Sequence, residues 1–163
     1  MTKKERLMKE HLVEWYQHSP IQHPFSVTIT MKQRLNSFQL DSIRTSTNTK
    51  HLLNRLNKRM FGNKTKRFGV KVDSFVVVEG DTDHRLHTHL IIGRPSHITH
   101  DQFVSLISQS VEKTQWGYNQ IDIQKLETDL DHMKWFFYLL KERSKTDLQS
   151  NIDWLNTHIS SMS

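Results

Sequence analysis

The stretch HRLHTHLIIG, residues 84–93, sets His87 and His89 one residue apart in a run of otherwise apolar character. In a strand, alternate side chains share a face, so these two imidazoles point one way while Leu86, Thr88, Leu90 and Ile92 point the other, toward a core. Their Cα atoms would stand about 7 Å apart, close enough for both rings to reach one ion. Upstream, SFVVVEG ends on Glu79, and the short polar connection DTDH makes the two runs a hairpin. A carboxylate across that hairpin completes two nitrogens and one oxygen, a set suited to a divalent ion with positions left open for substrate. Paired histidines alone are a weak signal and fit an ordinary surface strand better; Glu79 on the neighbouring strand is what favours a metal. The other histidines, among them His84, His97, His100 and His132, have no comparable partner and read as surface residues.

A phenol supplies the second chemical group. The segment 129–143 has helical spacing, with Thr128 as its cap, and gathers Leu130, Met133, Phe136, Phe137 and Leu140 into one apolar arc. Tyr138 falls on the opposite arc, close to Lys134 four residues earlier and Lys141 three residues later. A structural tyrosine with its hydroxyl bonded at a rim would also fit. The functional alternative follows from chemistry: a phenol of pKa about 10 is a weak nucleophile, and neighbouring ammonium groups favour its phenolate. Cations also suit a phosphate. Tyrosine, lysine and an open metal site together point to covalent attack on a phosphodiester, with the metal polarising a non-bridging oxygen.

Charge distribution agrees with a phosphate-bearing partner. The chain carries 23 Lys and Arg against 17 Asp and Glu, a formal net charge of +6. Between Asp41 and Asp73 there is no acidic residue, yet Arg44, Lys50, Arg55, Lys58, Arg59, Lys64, Lys66, Arg67 and Lys71 all fall there. That asymmetry favours nucleic acid over a merely solvated helix face, with Arg55, Lys58, Arg59, Lys64, Lys66 and Arg67 as expected DNA contacts.

These residues need a scaffold. Residues 3–18 place Leu7, Met8, Leu12, Trp15 and Tyr16 at helical spacing, and Ser19-Pro20 stops them. FSVTITMK alternates strictly, Phe25, Val27, Ile29 and Met31 against Ser26, Thr28, Thr30 and Lys32, and reads as a half-buried strand. Leu52, Leu53, Leu56 and Met60 stripe a helix that Gly62 ends. After the hairpin, Thr99 and Gln102 form a capping box for a helix facing Phe103, Val104, Ile107 and Val111 inward. YNQIDIQ is a further strand, and Leu148, Ile152, Leu155 and Ile159 line a last helix. The order predicts an α+β fold, a ferredoxin-like sandwich with a central, largely antiparallel β-sheet and flanking helices. One domain over 1–163 is expected, with an N-terminal helix in 1–20 and a C-terminal helical extension in 145–163.

Without cysteine, disulfides and thiolate metal sites are excluded. No apolar run approaches the length of a membrane span, and the charged N-terminus does not resemble a signal peptide. A cytoplasmic protein is expected, nucleoid-associated if bacterial.

The ordered set of motifs resembles the HUH endonucleases, in particular the single-tyrosine rolling-circle replication initiators, over residues of roughly 25 to 141. Their first motif, an aromatic followed by alternating threonines, is similar to FSVTIT, with Phe25, Thr28 and Thr30. The second, two histidines around one residue, is similar to HTH, although the middle position is usually hydrophobic and is Thr88 here. Their third ligand, on the adjacent strand, corresponds to Glu79. The tyrosine with lysine three residues on corresponds to Tyr138 and Lys141 in YLLK.

The resemblance implies nicking of single-stranded or hairpin DNA at an origin or element end, through a 5′-phosphotyrosine link that leaves a free 3′-hydroxyl. Catalytic Tyr138 and Lys141, Mg²⁺ or Mn²⁺ on Glu79, His87 and His89, and a place for Thr28 and Thr30 at the DNA are implied with it; Lys134, from its position beside Tyr138, is a further expected DNA contact. The biological setting would be replication of a plasmid, phage or mobile element, with transposases and transfer relaxases as the related alternative. No G-x-x-x-x-G-K-[ST] loop occurs, so a separate helicase is expected. Two readings compete: an iron oxygenase with two histidines and a carboxylate, which usually uses a jelly roll, and a non-catalytic nucleic-acid-binding module.

Overall fold

A computed structural model describes residues 2–80, 85–141 and 151–160. Helix α1 (Lys3–His18) opens with a capping box in which Glu5 N donates to Thr2 Oγ1 at 3.2 Å and Thr2 N to Glu5 Oε2 at 2.6 Å. Strand β1 (Pro24–Thr30) leads into a small hairpin, β2 (Arg34–Leu35) and β3 (Phe38–Gln39), that periodicity did not reveal because each arm has only 2 residues. Asp41 caps α2 (Ser42–Phe61), and Gly62, at a φ of 58° that disfavours other residues, breaks it from the short α3 (Asn63–Phe68). The remaining elements are β4 (Ser74–Glu79), β5 (His87–Gly93), α4 (His100–Glu112), β6 (Gln120–Lys125) and α5 (Asp129–Leu139).

The four long strands form one sheet in the order β4-β5-β1-β6, with every neighbouring pair antiparallel. Two crossovers, β1-α2/α3-β4 and β5-α4-β6, give the β-α-β-β-α-β topology of a ferredoxin-like α+β sandwich, as the element order predicts. Each face of the sheet has its own core. On one face, Val27, Ile29, Val76, Leu90 and Ile92 pack under α2 and α4 through Leu52, Leu56, Phe103 and Ile107. On the other, Phe75, Val77 and Ile91 pack under α1 and α5 through Leu12, Tyr16, Phe136 and Leu139.

Two expectations are corrected. The pattern of Ile152, Leu155 and Ile159 predicts a helix, but residues 152–160 form turns and single bridges along the outer edge of β4. Ser74 and His158 exchange backbone bonds of 2.7 and 2.8 Å, and Asp153 N donates to Val76 O at 2.9 Å. An edge strand leaves a row of unpaired backbone groups, and this segment satisfies them while burying Ile152 and Ile159; Leu155 is 90% exposed. The earlier part of the expected extension, residues 145–150, lies outside the described residues, as do His84 and the rest of the 81–84 connection.

The second correction concerns α5. Leu130 and Phe137 are 63% and 43% exposed, and the inward arc is instead His132, Phe136, Leu139 and Leu140. His132, expected at the surface, is buried because its Nε2 is hydrogen-bonded to the hydroxyl of Tyr16 in α1. That polar pair turns the helix so that Trp135 and Tyr138, one turn apart, lie toward β5.

Candidate active site

Register builds the site. In the β5–β1 ladder His87 pairs with Thr30 and His89 with Thr28, and in the β4–β5 ladder Glu79 pairs with His87. Because side chains alternate, all five project from the face that carries α1 and α5, while Leu86, Thr88, Leu90 and Ile92 are buried on the other. The strand reading of HRLHTHLIIG therefore holds in its orientation.

Each imidazole is held at its inner nitrogen by a threonine: His89 Nδ1 is 3.1 Å from Thr28 Oγ1, and His87 Nδ1 is 2.9 Å from Thr30 Oγ1. The rings lie 6.3 Å apart between centroids. On its outer side His89 Nε2 donates to Glu79 Oε2 at 2.7 Å. Burial lowers the pKa of His87, with Arg85 adding to the effect and Glu79 opposing it, so this imidazole is neutral at pH 7. A threonine hydroxyl can donate to a bare Nδ1 or accept from Nδ1–H, so the same contact supports either tautomer.

Tyr138 comes to the same place from α5. Its ring stands edge-on to His89 at 6.2 Å, and Trp135 stacks on it at 4.8 Å while meeting His89 at 6.1 Å. Lys141 Nζ lies 5.6 Å from the Tyr138 ring centroid, over its face. Glu79, Tyr138 and Lys141 line one small cleft of about 10 Å³ with Val77, Val78, Leu139 and Asn151. Trp135 is absent from the sequence reading; its spacing of three from Tyr138 was the available signal. Its Nε1 is buried without a hydrogen-bond partner among the described residues.

Other expected site residues lie elsewhere. Lys134 is exposed on α5, on the same side of the sheet as the histidines. Arg55, Lys58 and Arg59 are exposed on α2, and Lys64, Lys66 and Arg67 on α3, which follows α2 directly. Since α2 packs on the Leu90 and Ile92 face, the α2 cations are on the opposite side of the sheet from His87 and His89. Beyond β1, the β6 residues on the histidine face, Gln120, Asp122 and Gln124, are exposed, so the site is open along that flank.

The buried Tyr16–His132 pair is the other feature that sequence reading missed. Tyr16 is fully buried, stacks on Phe136 at 4.0 Å, and burial pushes its hydroxyl well above the ordinary phenol range. Burial also lowers the pKa of His132. Both shifts keep the pair neutral, and its hydrogen bond ties α1 to the helix that carries Tyr138.

The donor set fits a divalent ion. Two imidazoles anchored at Nδ1 turn their Nε2 atoms outward, and a carboxylate already touches one of them. Among the described residues, no three His, Asp or Glu side chains converge on one point in the present arrangement; binding would replace the His89–Glu79 hydrogen bond by bonds from both groups to the ion. Among known proteins, the chain matches no family model, and no curated protein or solved structure is significantly similar to it.

Proposed function

We propose that this chain is a metal-dependent endonuclease and strand transferase for single-stranded DNA, working through a covalent phosphotyrosine as HUH replication initiators do. The supporting observation is the meeting of Tyr138 with His89 and Glu79 on one open sheet face, with Lys141 over the tyrosine ring. A Mg²⁺ or Mn²⁺ ion on His87, His89 and Glu79 would supply Lewis-acid polarisation of the scissile phosphate.

The chain's own groups do the rest. Tyr138 Oη loses its proton and forms a bond to phosphorus; the bond to the 3′ oxygen breaks, and that oxygen takes a proton as the 3′-hydroxyl. Lys141, over the tyrosine ring, stabilises the charge on the phosphate under attack. Thr28 and Thr30 fix both imidazoles, and Trp135 holds the tyrosine ring against His89. Attack by a 3′-hydroxyl on the phosphotyrosine reverses the step and joins strands. Rolling-circle initiation needs a duplex opened first, so a separate helicase is part of the reading.

Glu79→Ala and His89→Ala should abolish cleavage of labelled single-stranded DNA in Mn²⁺ while leaving salt-sensitive binding largely intact. Undiminished cleavage by either variant would refute the metal assignment.

A further inference from the structure

The β2–β3 hairpin brings an aromatic ring to the surface where no core requires it. Phe38 is 55% exposed, and the Arg44 guanidinium lies 5.1 Å from its ring centroid. Asp41, the cap of α2, holds that guanidinium by an ion pair. Beside them a cavity of about 280 Å³ opens between the hairpin, the first half of α2 and the connection from α4 to β6. Trp116 and Asn48 are the buried residues of its lining. The Asn48 amide is already satisfied, donating to Thr114 Oγ1 at 3.1 Å and accepting from Trp116 N at 3.2 Å. His51 and Gln115 in the same lining are exposed, and their side chains make no hydrogen bond among the described residues.

An exposed ring under a cation, a tryptophan in the wall and unengaged imidazole and amide groups suit a planar heterocycle edged with donors and acceptors. We propose that this cavity receives an unpaired nucleobase of the single-stranded DNA handled at the histidine site, an inference that rests on the function proposed above.

Placement supports the link. The hairpin continues directly from β1, whose last residue Thr30 holds His87. The five residue steps from Thr30 to Leu35 span at most about 17 Å. Gln33 fastens this segment to the entrance of β5: its Nε2 donates to Leu86 O at 3.2 Å, and its Oε1 accepts from Leu86 N at 2.8 Å. Lys32 and Arg34 are exposed on this segment, and cations there suit the phosphates of a strand that would run between the two sites.

The test uses the full chain carrying Tyr138→Phe, so that binding is read without cleavage, with two fluorescent probes: an oligothymidylate and an abasic deoxyribose-phosphate oligomer of equal length. Adding Phe38→Ala should weaken oligothymidylate binding about tenfold and leave the abasic probe unchanged, because only stacking is removed. Phe38→Trp should restore the affinity, which a general folding defect would not allow. Equal affinity of the Phe38→Ala chain for oligothymidylate, or equal losses on both probes, overturns the cavity assignment while leaving the DNA reading in place. If the parent chain binds neither probe, both fail together.

Discussion

Thr30 Oγ1 lies 2.9 Å from His87 Nδ1, directly across the β1–β5 ladder, and Thr28 repeats the relationship with His89 at 3.1 Å. The alternating threonines of FSVTIT thus orient imidazoles. In the metal-bound state, Nδ1–H donated to threonine would leave each ring its Nε2 lone pair facing outward, with His89 giving up the Nε2–H that it donates to Glu79 here. Thr30→Val should therefore weaken Mn²⁺ binding about 10- to 100-fold, measured by titration calorimetry, with Thr30→Ser close to the parent. Equal affinity of the valine variant would show that the hydroxyl does not support a ligand.

Thr88, between the two histidines, points the other way and is wholly buried, with its hydroxyl unpartnered among the described residues. An unmade hydrogen bond on a buried group costs about 1–3 kcal/mol. Thr88→Val keeps the shape and removes the polar atom, so urea unfolding should show a gain of about 1 kcal/mol. A loss of stability would mean the hydroxyl has a partner.

The Tyr16–His132 pair predicts a pH dependence. Burial lowers the folded pKa of His132, and also that of His87, below the ordinary value of 6.5. The unfolded chain then binds more protons, so the stability is whole above about pH 6.5 and is lost as the pH falls through the lowered values. Urea midpoints should drop between about pH 7.5 and pH 5, and His132→Gln, which keeps a hydrogen-bonding group for Tyr16 but binds no proton, should flatten part of that drop. Tyr16→Phe leaves the imidazole unpaired and should cost about 1–3 kcal/mol.

The cations of α3 are exposed beyond an α2 that covers the sheet face opposite the histidines, so their role should be capture of DNA rather than chemistry. Replacing Lys64, Lys66 and Arg67 by alanine should reduce the slope of log affinity against log salt by about 2 on single strands. The cleavage rate at saturating DNA should stay unchanged. A fall in that rate would place these cations at the scissile phosphate.

Long periodic segments carried most of this architecture into view. The period of two in FSVTIT and in the HTH strand set both faces correctly, because a strand with one core face tolerates only one register. The Thr99–Gln102 capping box, the Thr128 cap and Gly62 marked helix ends by local chemistry. What escaped depended on contacts between distant segments: His132 turned inward for Tyr16, Trp135 stacked on Tyr138, and the 152–160 segment gave up a helical pattern to cover the β4 edge. The segregation of the α2 cations from the site followed from which sheet face that helix covers, and charge counts carry no such information.

The central claim is a covalent bond between Tyr138 and DNA. Incubating the full chain with a random-sequence single-stranded DNA library and Mn²⁺, then mapping any nucleotide-modified peptide by mass spectrometry, tests it directly. The account predicts a 5′-phosphodeoxynucleotide on Tyr138 that is absent from Tyr138→Phe; no adduct, or one carried by another residue, would contradict it.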